Sequence, residues 1–176
     1  MNRITLNNNI QMPMLGFGTF LMGGSECEES VLAAIRSGYR MIDTAEAYGN
    51  EEAVETHLLC QRRAEHEWLE KYHVQHMAYA PLGQGRKNEM FENPDLVEIA
   101  KTHGKTAAQI ALRYLMQSGV IVIPKSVHTE RIKENFELFD FALTAGEMER
   151  LVNMDTATPM IGNPENPAMV EAAMKW

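Results

Sequence analysis

Short apolar runs alternate with capped helices along this chain, and each run closes on polar residues. That alternation permits few folds: parallel strands joined by helical crossovers, with any site at the carboxyl edge of the strands. Leu15 to Phe20 is a short apolar strand broken by Gly16 and Gly18. Glycines inside a strand mark the close approach of another backbone or a ligand. Tyr39 to Ala45 is a second strand carrying Asp43 at its polar end, with Tyr48 and Gly49 in the loop beyond. Val74 to Ala80 is a third, closed by Pro81-Leu82-Gly83. Val120 to Ile123 is a fourth, a continuous β-branched run of the kind buried on both faces, and Pro124-Lys125-Ser126 leaves it.

The remaining punctuation fills in the helices. Residues 3–14 read as a hairpin around Asn7-Asn8-Asn9. Ser25 and Glu28 form a capping box for a helix over 26–37, with Val31, Leu32 and Ile35 on one face and Gly38 ending it. Residues 51–72 hold neither proline nor glycine, which predicts a helix. Its apolar stripe (Val54, Leu58, Trp68, Leu69 and Tyr72) is interrupted by a charged middle. Asn93 and Pro94 start a helix stopped by Gly104, and Thr106 starts another running to Gly119. Thr129 opens a helix to Phe136, and Thr144 with Glu147 caps a last one to Asn153. From Pro159 the chain reads as loop up to a short apolar end.

Sixteen basic side chains against 24 acidic ones give a net charge of −8. With no basic block to offset it, nucleic acid and anionic membrane are excluded as main partners. No apolar run approaches the ~18 residues of a membrane span. The chain opens on no basic-then-apolar leader, and its two cysteines, Cys27 and Cys60, make no disulfide framework; a cytoplasmic protein is expected. The 176 residues suffice for a single domain with a sizeable core. Six histidines show no metal-ligand spacing, and His73 and His76 read as surface residues; no metal site is expected. Gly16-x-Gly18 is too short for a dinucleotide fingerprint.

At LGFGTF, YRMIDTAEAYGNEEAV, AYAPLG and VIVIPKSVHTERIKENFELFDF the chain resembles the aldo-keto reductases, nearest to bacterial enzymes similar to 2,5-diketo-gluconate reductase. The resemblance implies a (β/α)₈ barrel, a fold of ~250 residues and rarely fewer than ~200. Residues 1–54 resemble the family's start, through its second strand. Residues 55–176 resemble its end, from the Glu55-Thr56-His57 close of the sixth strand. The intervening part, on the order of 100 residues, is absent. The implied fold is α/β, a partial barrel retaining strands resembling 1, 2, 7 and 8 of the family, plus the hairpin. The four strands would form an open parallel sheet in chain order 3-4-1-2. The 51–72 helix, crossing backwards, would cover the former barrel interior as a third layer. An uncovered apolar face predicts self-association through the open barrel.

The same resemblance implies residue roles. Asp43 and Tyr48 match the catalytic aspartate and tyrosine, the tyrosine donating a proton to a substrate carbonyl. The family's catalytic lysine and histidine belong to the absent strands, and His57 does not occupy that histidine's position. NADP (NADPH) is the implied cofactor. Lys125 and Ser126 match the grip on its 2′-phosphate, Arg131 the guanidinium over adenine, and Glu134 and Asn135 the adenine-edge contacts. Tyr79 matches the ring against nicotinamide, Leu82 a backbone contact to pyrophosphate, and Gly18 and Thr19 the loop beside the nicotinamide ribose. The implied activity is NADP-dependent reduction of aldehyde or ketone groups of small molecules. With the lysine and histidine missing, a catalytically inactive nucleotide-binding remnant, or a product of internal deletion, is the alternative.

Overall fold

The computed structural model describes residues 2–7, 9–19, 22, 24–43, 54–71, 73, 75–83 and 87–157. An antiparallel hairpin comes first, β1 (Arg3–Thr5) and β2 (Gln11–Pro13), with Ile4 opposite Met12. The expected turn closes it: the Leu6 N–H donates to the Ile10 carbonyl at 2.9 Å, and Asn9 takes φ 65°, a conformation asparagine tolerates.

Five further strands follow: β3 (Phe17–Gly18), β4 (Ile42–Asp43), β5 (Val54–Glu55), β6 (Met77–Tyr79) and β7 (Ile121–Val122). β5, β6 and β7 pair in parallel in that order, and β3 pairs in parallel with β4. A parallel bridge between Leu15 and Val122 joins the two groups. The Gly16 N–H donates to the Val122 carbonyl at 2.9 Å and the Val122 N–H to Met14 at 3.1 Å; further along, the Gly18 N–H reaches Pro124 at 3.2 Å. The parallel order across the molecule is therefore β5-β6-β7-β3-β4. Ile121 and Val122 are buried on both faces, as a β-branched run in mid-sheet should be.

Two expectations are corrected. The sheet has a fifth parallel strand, β5, and residues 51–72 do not form one helix. Val54 and Glu55 stand opposite Ala78 and Tyr79, and a tight buried segment follows in which His57 and Cys60 exchange backbone hydrogen bonds of 3.1 and 3.0 Å. Only after Arg62, at φ 50°, does α2 (Arg63–Lys71) begin. A stretch free of glycine and proline is permitted to be helical, but pairing with β6 and burial of Leu58, Leu59 and Cys60 outweigh that preference. α2 thus joins neighbouring strands and does not cross back over the sheet. The steps β3 to β4, β5 to β6 and β6 to β7 all run the same way. Right-handed connections then set their helices on one face, so the third layer expected from the 51–72 helix loses its element. The backward connection from β4 to β5 falls on residues 44–53, outside the described residues.

α1 (Gly24–Ser37) starts before Ser25, which therefore lies inside the helix and does not cap it. Its buried face is also not the expected one: Ser30, Ala33 and Ala34 turn inward, while Leu32 and Ile35 stay 42% and 47% exposed. Small residues let α1 approach α6 (Thr129–Phe136) closely. Gly38 ends α1 at φ +109°, where a Cβ would stand 2.6 Å from the Phe136 ring. Tyr39 lies between Phe17 and Phe136, ring centroids 5.7 and 5.1 Å away, and its hydroxyl donates to the Ile132 carbonyl at 3.3 Å.

A short α3 (Lys87–Phe91) precedes α4 (Pro94–His103), capped by the Asn93 side chain and stopped by Gly104 at φ 61°. α5 (Ala107–Gln117) and α7 (Ala145–Val152) each begin with a complete capping box, from Thr106 with Gln109 and from Thr144 with Glu147. Leu15, Phe17, Ala78, Ile110, Leu112, Leu115, Val122 and Ile132 form one contiguous core. Burying each large aliphatic among them stabilises the fold by about 1.5–3 kcal/mol. No described helix is long and apolar enough to cross a membrane.

Candidate functional site at the carboxyl edge of the sheet

All parallel strands point the same way, so the residues following them share one edge. β3 delivers Gly18 and Thr19, β4 Asp43, β6 Tyr79, and β7 Lys125 and Ser126. The sheet order sets β7 beside β3. A Cβ on Gly18 would stand 2.9 Å from the Ile123 carbonyl oxygen and 3.7 Å from the Lys125 Cβ. Glycine is thus the residue that lets the exit of β7 lie against β3. Thr19, buried, holds the end of β4: its backbone N–H and its hydroxyl both donate to the Asp43 carbonyl, at 3.1 and 2.9 Å. Residues from the two distant parts of the sequence are brought together here. Tyr48 lies outside the described residues.

The β7 exit leads directly into α6. Ser126 is buried, and its hydroxyl accepts from the His128 N–H at 3.1 Å. His128 itself makes no side-chain cap, so Ser126 shapes the turn that opens the helix. Lys125 is exposed beside that N-terminus, Arg131 is exposed one turn in, Glu134 is half-buried and Asn135 is buried. An ammonium and a guanidinium flanking a helix N-terminus suit a phosphate dianion, where unpaired N–H groups and the helix dipole add to the side-chain charges.

On the β6 side, Tyr79 is half-buried and pairs with Glu55, and the Thr56 N–H reaches the Tyr79 carbonyl at 3.4 Å. Ala80 at φ 50° and Gly83 at φ 63° form the turn after it, and Leu82 packs against the core.

One interaction set at this edge was not foreseen from sequence. The Thr106 hydroxyl donates to Glu134 Oε1 at 2.6 Å, and the Gln109 side-chain amide donates to the Glu134 and Glu137 carbonyls at 3.0 and 3.1 Å. The capping box that starts α5 is therefore also the fastening of the end of α6. Thr106-x-x-Gln109 is legible as a helix start; the second use depends on where α6 packs.

The histidines need one correction. His73 is exposed, but His76 is buried. Its Nε2 lies 2.9 Å from Thr56 Oγ1 and its Nδ1 3.1 Å from His66 Nδ1. His57 is buried as well, with Nδ1 accepting from the Leu59 N–H at 3.2 Å. Among the described residues, no three His, Cys, Asp or Glu side chains gather as metal ligands.

Comparison with known proteins accounts for this layout. The profile of the Aldo/keto reductase family matches residues 53–156. Methylglyoxal reductase DkgA of Yersinia pestis is 37% identical over 126 residues, which cover 72% of this chain and 45% of that protein. An aldo-keto reductase of Mycolicibacterium smegmatis is 27% identical over 267 residues, covering 92% of this chain and 93% of its own. That span is longer than the 176 residues of the chain. The solved structure of a Gox0644 mutant in complex with NADPH superposes with a TM-score of 0.85 at 21% identity, over 94% of this chain and 98% of that one. The fold is thus an α/β fold of the (β/α)₈ barrel family, in partial form. The chain spans 40% and 45% of the length of two curated relatives that it matches at 38% and 37% identity. A strand order that joins two distant stretches at one carboxyl edge, and a profile running through more than half of the sequence, have a common source: this chain belongs to the aldo/keto reductase family.

Proposed function

We propose that this chain binds NADPH by its adenosine-phosphate end at Lys125 to Asn135, a site inherited from an oxidoreductase that reduces aldehyde or ketone groups of small molecules. One observation carries the reading: Lys125 and Ser126 leave the central strand β7 and run straight into α6, against Gly18 of β3. Lys125 and Arg131 take the 2′-phosphate and the adenine face. Glu134 and Asn135 take the adenine edge. Gly18, Thr19, Tyr79 and Leu82 line the way toward the nicotinamide end. When bound, the cofactor supplies hydride. The chain's own part is to hold it and to offer a proton from Tyr48.

Lineage and strand positions support an internal deletion. β3 and β4 correspond to the first two family strands, and β5, β6 and β7 to the last three. The alignment with the mycobacterial relative covers nearly all of both proteins yet exceeds the length of this one. The deletion would remove the lysine and histidine that tune the tyrosine. A free phenol has a pKa of ~10 and donates poorly at neutral pH without a neighbouring cation. The sequence holds no lysine before Lys71. This favours a second reading for turnover, a nucleotide-binding remnant with little or no reductase activity.

Fluorescence titration with NADPH and NADH tests the binding. NADPH should bind the more tightly, and Lys125→Met should erase the difference, since a charge-assisted contact is worth roughly 1.5–3 kcal/mol. Equal affinities in the unsubstituted protein would refute the site. An NADPH-oxidation assay with a generic aldehyde, run beside Tyr48→Phe, separates the two readings. Background rates in both support the remnant; robust turnover abolished by Tyr48→Phe establishes a working reductase.

A further inference from the structure

We infer that the capping box of α5, Thr106 with Gln109, is a positioning device for the nucleotide face of α6, with Thr106 aiming the Glu134 carboxylate at the adenine edge. The inference rests on the binding site proposed above and adds residues that do not themselves touch the cofactor.

The geometry is specific. Thr106 uses both ends of its hydroxyl. The oxygen accepts from the Gln109 N–H at 3.3 Å, which caps α5, and the hydrogen goes to Glu134 Oε1 at 2.6 Å. Capping needs only the acceptor, so the donated bond is extra to it. Gln109 is similarly divided. Its Oε1 accepts from the Thr106 N–H at 3.0 Å, completing the box, while its Nε2 donates to two carbonyls at the end of α6. Lys105 adds a third contact there, Nζ to the Glu137 carbonyl at 3.2 Å. The start of one helix thus fastens the end of another.

The consequence lies in Glu134. A carboxylate on a helix surface samples several rotamers. Tying Oε1 to Thr106 restricts those rotamers and leaves Oε2 to accept from a ligand. An adenine edge offers a matching donor, its exocyclic 6-amino group. A base with a carbonyl at that position offers an acceptor instead and is repelled. Thr106 would therefore act on base discrimination, which a purely structural cap would leave alone.

The test compares NADPH with its hypoxanthine analogue, nicotinamide hypoxanthine dinucleotide phosphate, on the full chain. Two variants separate capping from aiming. Thr106→Ser keeps the acceptor and the donor. Thr106→Asp keeps an N-cap of equal quality but donates no hydrogen bond and sets a like charge beside Glu134. The preference for adenine over hypoxanthine should fall by about five- to tenfold in Thr106→Asp and be retained in Thr106→Ser, with both variants unfolding cooperatively. An unchanged preference in folded Thr106→Asp, with NADPH binding still dependent on Lys125, overturns this inference alone. Absence of NADPH binding by the unsubstituted chain overturns the inference together with the site it rests on. Thr106→Val, which lacks donor and acceptor alike, should lose the preference as fully as Thr106→Asp; if it retains the adenine preference, the inference fails.

Discussion

Single residues at the carboxyl edge carry the constraints that bring the site together, and Gly18 is the clearest. The sequence marks it as a strand glycine, and the structure supplies the reason, a carbonyl oxygen 2.9 Å from where a Cβ would be. Gly18→Ala should force β3 and the β7 exit apart, costing about 1–3 kcal/mol, read from urea denaturation, and should weaken NADPH binding by moving Lys125. Gln61 is the opposite case. Its amide donates to the Leu58 and Leu151 carbonyls at 3.0 and 2.7 Å, and its Oε1 accepts from the Tyr114 hydroxyl at 2.6 Å. Nothing local in the sequence shows this, because two of its partners are separated from it by 53 and 90 residues. Tyr114→Phe removes the donor to a buried acceptor and should cost about 1–3 kcal/mol in the same assay. The residues proposed for the cofactor after β7 stand out in the sequence because a single segment, Lys125 to Asn135, carries them all.

Elements were legible where the chain punctuates itself. Asn93, Thr106 and Thr144 mark helix starts because a short polar side chain satisfies backbone donors left open there. They begin α4, α5 and α7 where the sequence places them. Residues 51–72 lack punctuation, and there the outcome depended on pairing between β5 and β6, which no local signal encodes. α1 misled for a related reason: Val31 packs against the core as expected, but Leu32 and Ile35 face out because close contact with α6 selects alanine. At α7, burial pushes the Glu147 carboxyl up, but hydrogen bonds from the Thr144 backbone and hydroxyl and from His103 outweigh it, so the group lies below its ordinary value. A lowered pKa in the folded state contributes stability that is present above the ordinary glutamate range and lost as pH falls through and below it. Thermal unfolding followed from pH 7 down to about pH 3 should therefore show a shallower loss of stability in Glu147→Gln than in the unsubstituted chain. An identical slope would show that Glu147 does not contribute to acid lability.

At the scale of the molecule, β7 lies beside β3 through the Leu15–Val122 bridge, an adjacency that local sequence signals do not carry and that the resemblance to a closed ring of strands led one to expect. The extra strand was less legible, since two residues of β5 look like part of a longer helical stretch. Among the described residues β4 and β5 each pair on one side only. Leu32 and Ile35 add exposed apolar surface on α1. Such edges and surface promote association. Sedimentation at increasing concentration should show a mass rising above the 19.9 kDa of one chain, and Ile35→Lys should lessen the rise; a constant mass of one chain would count against association. The bridge from Leu15 to Val122 has a kinetic side as well. It joins the middle of the sheet across more than a hundred residues, so loop closure must be met before that pairing is rewarded, and such topologies fold slowly. On the ribosome, β3 and β4 emerge early and wait with an unpaired edge until β7 is made. Until then the β3–β4 segment lacks its neighbour and is open to chaperones, and the interval lasts as long as synthesis of the stretch between Asp43 and Ile121, seconds at ordinary elongation rates.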